Sequence, residues 1–479
     1  MRKLIGFILF LCFSIPAFAQ ENNQYKIEIK IKNSNDTLMY LANYYGDKTY
    51  LADTTFVKGK GNFVFENKKE LKDGLYIVVN QEKKSLFEFL VADSRQMKFE
   101  TEAPDFTANM KSSNSLENDL FFSYLDFSSK LYDRVMPLNA RLKALDKNSD
   151  SVAIIQSEIK SINQEMTDYK EELMKNHPET FLADFFGLLK EAAIPDTLLT
   201  LPDGSKDSSY PYRYYKAHFW DHVDLSNDGL IRTPVFHKKL DTYFDKVISK
   251  DADSIIYEID HLLSQMDESG DMYKFSLWHL TIKFDESQIM GHDGILVHLS
   301  DHYFSKGKAH WLHEEVIQNI IKEADKRRST LIGNLAPNLI MQDTSLKPRS
   351  LHELNQTYTI LYFWDPGCGH CKKETPKLVE FYNQYAEELD FEIYSVCADT
   401  NLSEMKKYIK EKKMNFINVN GPRAYTSDYH ELYNIFSTPV IIILDQNKKI
   451  IAKRLAAEQM ADFLKNYTKQ HDPRITDPK

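Results

Sequence analysis

The sequence is short of cysteine, with four in 479 residues. One of them, Cys12, lies in an N-terminal apolar run, which leaves Cys368, Cys371 and Cys397 for the body of the chain. So few cannot staple a scaffold, which would show many cysteines in even pairs. An excess of positive charge is also missing: 60 Lys and Arg stand against 70 Asp and Glu, both signs interspersed, for a net −10. That excludes the basic face a nucleic-acid partner requires, and the acidity reads as solubility. Past the N-terminus there is no apolar run long enough to span a bilayer, no internal repeat and no long low-complexity linker. What remains is a globular balance, 42% hydrophobic and 27% charged. The chain is longer than one core usually holds, so two to four domains are expected.

The N-terminus has the anatomy of a cleavable secretory leader. Arg2 and Lys3 form a basic start, Leu4 to Ile15 an apolar stretch, and Ala17-Phe18-Ala19 supplies small residues before a cut. The apolar stretch is 12 residues, too short for a spanning helix. Leu9, Phe10 and Leu11 are too bulky for a lipoprotein-type cut at Cys12. Cleavage after Ala19 is expected, with a mature protein outside the cytoplasm, in the periplasm, and soluble with no membrane span.

Three grammars follow. From 20 to 114 the pattern is β. Tyr25 to Ile31 alternates at period two, and Thr37–Tyr45, Gly61–Glu66, Gly74–Asn80 and Leu86–Val91 read as further strands of a small β-sandwich. From 115 to 331 it is helical. Val152, Ile155, Ile159, Ile162, Met166, Tyr169 and Leu173 form one apolar stripe, half of an expected helical hairpin, stopped at Asn176-His177-Pro178. Further helices are expected near Thr180–Ala193, Thr233–Ser249, Ala252–Gln265, Asp271–Glu286 and Glu314–Arg328. From 332 to 479 strands alternate with helices. Tyr358–Trp364, Phe391–Cys397, Val440–Leu444 and Ile450–Arg454 read as strands; Gly369–Leu389, Ser403–Lys413 and Ala457–Thr468 read as helices. That alternation implies a parallel or mixed sheet with helices on its faces.

Cys368-Gly369-His370-Cys371 stands between the strand ending at Trp364 and the helix after it. A thiol at a helix start meets unsatisfied N–H groups and the positive end of the dipole, which stabilise a thiolate. A lowered pKa makes Cys368 the attacking nucleophile, and Cys371, one turn in, the resolving thiol. Such chemistry needs no cofactor and no metal. A Cys-x-x-Cys alone is a weak signal, but here Trp364 precedes it, Pro376 follows in the helix, and Ser437-Thr438-Pro439-Val440 stands before an all-apolar strand.

This arrangement resembles the thioredoxin superfamily. Cys-Gly-His-Cys-Lys-Lys-Glu-Thr-Pro376 resembles in particular its exported TlpA/ResA-like branch. The likeness covers about Ile332 to Tyr467. It implies an active-site role for Glu374, a cis proline at Pro439, and a substrate strand running beside Thr438, Pro439 and Trp364. It also implies an inserted strand and helix, here about Phe391 to Lys413. Gly369 and His370 tune the couple: Gly-His pairs lie nearer the about −180 mV of protein disulfide isomerase than the about −270 mV of thioredoxin. Tyr362 stands where thioredoxin carries a buried acid, which leaves Glu374 as the nearby proton carrier, its pKa raised if it is partly buried. Protein dithiols or disulfides are the implied substrates, with a membrane-bound electron donor or acceptor as partner and no nucleic acid.

Rival readings have weaker support. Zinc would need two more ligands, and only Cys397 and His430 are on offer. Haem attachment needs His after the second Cys, where Lys372 stands. A peroxiredoxin shares the Ala336-Pro337 opening but needs Thr where Asp365 stands. Cys397 reads as a small buried hydrophobe. His310, His313 and Glu314 read as a charged helix end, and the aromatics from Tyr210 to Trp220 as packing. The expected protein is a multi-domain exported thiol–disulfide oxidoreductase: a β-sandwich, a central all-α region and a C-terminal α/β thioredoxin-like domain. A ligand- or partner-binding protein with an accessory redox domain is the alternative from another class.

Overall fold

The computed structural model describes residues 24–146 and 150–471. The leader-like segment 1–19, with Cys12, lies outside them. The chain forms two compact units, meeting between Tyr243 and Phe244.

The first unit begins with β1 (Tyr25–Lys32), β2 (Leu38–Tyr45), β3 (Lys48–Phe56), β4 (Asn62–Asn67), β5 (Gly74–Asn80), β6 (Ser85–Val91), β7 (Gln96–Glu102) and β8 (Lys111–Ser113). They make two four-stranded sheets, ordered β4-β1-β7-β8 and β3-β2-β5-β6. Ile27, Ile29, Phe63, Phe65 and Phe99 from one sheet share a core with Met39, Leu41, Val78, Phe87 and Phe89 from the other. Period-two burial along β1, β4 and β7 turns one apolar face of their sheet towards the other sheet, which lets the two close on one another. Strands β3, β7 and β8 go beyond the five expected. β3 is largely exposed and carries little apolar alternation, and β8 is only three residues long. β7 does alternate, with Met97, Phe99 and Thr101 inward.

Helices α1 (Leu116–Ala144), α2 (Asp150–Asn176), α3 (Phe181–Leu189), α4 (Tyr210–Ala217) and α5 (Phe236–Thr242) complete this unit. The expected hairpin forms: Leu131 and Leu138 of α1 pack on Ile155 and Ile162 of α2. Ser115 caps α1, its side chain accepting from the Asn118 N–H. Asn118 bonds both backbone groups of Leu90 at 2.8 Å, tying the helix start to β6. Glu117 is buried and accepts from the N–H groups of Phe181 at 2.6 Å and Leu182 at 3.1 Å, the start of α3. Burial pushes its carboxyl up to about 7, although those two N–H bonds pull it down.

The second unit continues with α6 (Ala252–Leu263), α7 (Asp271–Asp285), α8 (Asp293–Leu299) and α9 (Glu314–Arg328). After them come β9 (Ile340–Asp343), β10 (Pro348–Ser350), β11 (Tyr358–Trp364), α10 (Gly369–Tyr385), β12 (Phe391–Cys397), α11 (Leu402–Lys412), β13 (Ile417–Ala424), α12 (Tyr429–Tyr433), β14 (Val440–Leu444), β15 (Ile450–Lys453) and α13 (Ala457–His471). The strands form one mixed sheet, β10-β9-β13-β12-β11-β14-β15. β11 pairs parallel to β12 and antiparallel to β14. All seven residues of β11 are buried because helices cover both faces. Ile360, Tyr362 and Trp364 face Leu378, Met405 and Leu464 of the helices; Leu361 and Phe363 face Tyr429 and Tyr433 on the other side.

The strand and helix expected at Phe391 to Lys413 form as β12 and α11, and a second pair, β13 and α12, follows before Pro439. β13 escapes the sequence pattern because Asn418, Asn420, Gly421 and Pro422 break its apolar run. The division of the chain also falls inside the helical stretch, so α6 to α9 share a unit with the mixed sheet.

Glu117 gives this fold a pH signature. Its folded pKa lies above its unfolded value, so the folded state binds the extra proton and stability falls as pH rises from about 4.5 through 7. Melting of Glu117→Gln followed against pH should lack this decline, with a difference on the order of 1–3 kcal/mol between the ends of the range. Parallel wild-type and variant curves would refute the assignment.

Candidate active site

The site is built where β11 ends. Asp365, Pro366 and Gly367 turn the chain, with the Gly367 N–H donating to the Asp365 carboxylate at 2.6 Å. Cys368 is the N-cap of α10, with extended backbone, and its sulfur accepts from the Cys371 N–H at 3.3 Å. This sulfur therefore takes the place of the Ser or Asp oxygen that usually satisfies a free helix N–H. Its thiol also reaches the Thr438 carbonyl, at 3.2 Å, across from the start of β14. The Thr438–Pro439 bond is cis, as the resemblance implied. Cys368 is part-exposed, whereas Cys371 is fully buried one turn into the helix.

These positions separate the two thiols. Burial would raise the Cys368 thiol, but hydrogen bonds from the Cys371 thiol and amide, from the Thr438 side chain and from the His370 amide outweigh it. They hold it below the ordinary cysteine range. Burial pushes the Cys371 thiol up to about 11, and its hydrogen bond to the Cys368 sulfur acts in the same direction. One sulfur is thus stabilised as the anion and its neighbour as the thiol.

The other expected residues divide. Glu374 lies on α10 one turn beyond Cys371: its side chain is 17% exposed, its Oε1 accepts from the Ala457 N–H at 2.8 Å, and its Oε2 lies 3.7 Å from Lys377. His370 is exposed and meets the sulfur through its backbone N–H. Gly369 is exposed, with no atom within 4 Å of where a Cβ would sit, so packing does not demand glycine there. Trp364 requires a correction. It is 0% exposed, bonds Ser395 Oγ through its Nε1 at 2.6 Å and stacks on Tyr408 at 4.9 Å. A side chain sealed beneath the motif cannot touch a substrate; it supports the motif from below. Cys397 is also sealed, in the same core, and burial pushes its thiol up to about 12.

Beneath Cys371 lies a hydroxyl network that the motif does not announce. Tyr362 and Tyr408 both bond Thr375 Oγ1, at 2.8 and 3.2 Å, and burial raises both phenols. Thr375 is four residues beyond Cys371, hence on the same helix face, which is the signal that could have found it. Tyr362, at the place of thioredoxin's buried acid, sits among hydroxyls instead of supplying a carboxylate.

Residues 355–450 match a family model described as thioredoxin-like. Residues 25–121 and 149–327 match two families described only as domains of unknown function. The thiol-disulfide oxidoreductase ResA of Bacillus cereus is 28% identical over 152 residues, 31% of this chain and 83% of that protein. A domain of a possible thiol-disulfide isomerase from Cytophaga hutchinsonii is 40% identical, covering 29% of this chain and 95% of that one, with a TM-score of 0.28. A thiol:disulfide interchange protein from Bacteroides sp. is 28% identical, covering 31% and 97%, with a TM-score of 0.28.

The thiol asymmetry is directly measurable. Iodoacetamide on the reduced, folded protein should label Cys368 with a pH midpoint below the ordinary value of about 8.5. Cys371 and Cys397 should stay unlabelled at pH 8 until the protein is denatured. Equal labelling of the three, or a Cys368 midpoint at or above that of free cysteine, would contradict the site as described.

Proposed function

Proceeding from a C-terminal domain that is thioredoxin-like and homologous to ResA-type thiol–disulfide oxidoreductases, we propose that this chain exchanges disulfides with protein substrates outside the cytoplasm. The observation that carries the reading is the Cys368 sulfur, part-exposed, capping α10 through the Cys371 N–H. In the reductive direction the Cys368 thiolate attacks one sulfur of a substrate disulfide. That S–S bond breaks, a mixed disulfide forms, and the released substrate thiolate takes a proton. Cys371 then loses its proton and attacks Cys368. The mixed disulfide breaks, the second substrate thiol leaves, and Cys368 and Cys371 end as the oxidised pair. The substrate has gained two electrons and two protons. Running the steps backwards oxidises a dithiol.

Each neighbour has a part in this cycle. The high pKa of Cys371 keeps it protonated while Cys368 attacks, so the resolving step needs a proton acceptor. Glu374 is the carboxylate we assign to that transfer. Gly369 and His370 fill the first turn and tune the couple. The backbone at Thr438 and Pro439 borders the cysteines and is assigned to the substrate strand, a main-chain mode of recognition open to many sequences. The leader-like N-terminus supports export to the periplasm. No described helix is long and apolar enough to cross a membrane. We assign the exchange of electrons to a separate, membrane-bound donor or acceptor.

Insulin reduction in dithiothreitol by the full mature chain tests the assignment. Cys368→Ser should abolish the stimulated rate. Cys371→Ala should instead accumulate a mixed disulfide on Cys368 and recover the natural partner from a periplasmic extract. Glu374→Gln should leave mixed-disulfide formation near wild type and slow its resolution by roughly a hundredfold, the low end of general-base effects. A Cys368→Ser protein that still reduces insulin would overturn the assignment of the nucleophile.

A further inference from the structure

A cleft of about 570 Å³ opens at Pro439, next to the Thr438 carbonyl that the Cys368 thiol reaches. It is lined by Glu374 and Pro439, by Phe436, Arg454 and Leu455, and by Gln288, Glu323 and Arg327 from the helical segment. That segment is pinned at this place. Lys453 forms a half-buried ion pair with Asp293, the Lys453 N–H approaches Met290 Sδ at 3.4 Å, and Ser329 Oγ donates to the Leu432 carbonyl at 3.0 Å. The helices before the thioredoxin-like domain are therefore one wall of the cleft that holds the cis proline.

The charges on this wall are unequal. Glu374 is engaged by the Ala457 N–H and faces Lys377; Glu323 pairs with Lys326 at 2.5 Å; Arg327 pairs with Asp285 at 2.6 Å. Arg454 differs. Its guanidinium donates to the neutral Gln288 Oε1 at 2.7 Å, and among the described residues no carboxylate pairs with it. Its backbone sits at φ +60°, in the left-handed region that favours glycine. The turn from β15 into α13 would be easier without a side chain here, and the side chain present is a cation held from the opposite wall.

We propose that Arg454, positioned by Gln288, is a specificity-determining residue that recognises an acidic side chain close to the cysteine of an extended partner-protein segment lying in this cleft. The inference rests on the disulfide-exchange reading above and deepens it. A guanidinium already fixed by one hydrogen bond keeps further N–H donors in a planar fork that suits a carboxylate. An extended segment passing Pro439 would bring side chains on alternate residues towards this wall.

Two disulfide-linked peptides, identical but for Glu or Lys two residues from the reacting cysteine, test this with the full mature chain. The expected preference in kcat/KM is about fivefold for Glu, the scale of one exposed ion pair, carried mainly in KM. It should fall towards one in Arg454→Gln, be partly kept in Arg454→Lys, and weaken in Gln288→Ala. In the wild type it should shrink as salt rises to about 1 M, since exposed charges are screened. Equal rates for both peptides in the wild type, or a preference that survives in Arg454→Gln or in high salt, would overturn the proposal. Should Arg454→Gln reduce neither peptide, the wild-type salt series decides by itself. A wild type inert towards both peptides would instead count against the disulfide-exchange reading.

Discussion

One contact organises the chemistry: the bond from the Cys371 amide to the Cys368 sulfur at the first turn of α10. A helix start carries unsatisfied N–H groups wherever it occurs. Here the acceptor filling that need is the sulfur to which we assign the attack. The same bond caps the helix and favours the thiolate, so stabilising the helix start and lowering the thiol pKa are one effect. It also sets the asymmetry of the pair, because an acceptor at the N-cap is part-exposed while a residue one turn in faces the sheet. Cys371 must face the sheet, and burial there keeps it protonated.

The sheet makes this contact possible. β11 is buried on both faces, which stiffens the strand end from which the motif springs. Trp364, closing that strand, is locked by Ser395 and by stacking on Tyr408. β14 runs antiparallel beside β11 and delivers Thr438 to the Cys368 thiol. Nucleophile, supporting aromatic and cis proline thus come from neighbouring strands of one sheet, and helix packing on both faces holds their spacing. The hydroxyl network of Tyr362, Thr375 and Tyr408 packs near Cys371 without adding a carboxylate, and Glu374 stands one turn further along α10, held by the Ala457 N–H.

The helical segment α6 to α9 belongs physically with the redox domain, through the Lys453–Asp293 pair and the contacts of Arg454 and Ser329. A partly buried ion pair is costly to leave with one partner, so the docking is specific in place. In the first unit the corresponding joint is polar as well: Asn118 ties α1 to the sandwich and Glu117 ties it to α3. At both joints polar side chains hold a helix in place through specific bonds to backbone or charged groups.

The sequence by itself determined the class of each region, the sandwich core, the α1–α2 hairpin, β11 and the helix behind it, and the place of Cys368 at the start of that helix with Cys371 one turn in. Those features rest on local rules: period-two and 3.6-residue burial, and the free N–H groups of a helix start. Tertiary structure alone decided that Trp364 is support and not substrate contact, because burial depends on what packs over a residue and not on its distance from the motif. It decided that Glu374 is held by the start of α13, that Thr375 bridges two tyrosines, and that Arg454 meets Gln288. Those partners stand 83, 13 or 33, and 166 residues apart along the chain. No pattern in a linear sequence encodes such pairings, because they exist only once separate elements have packed.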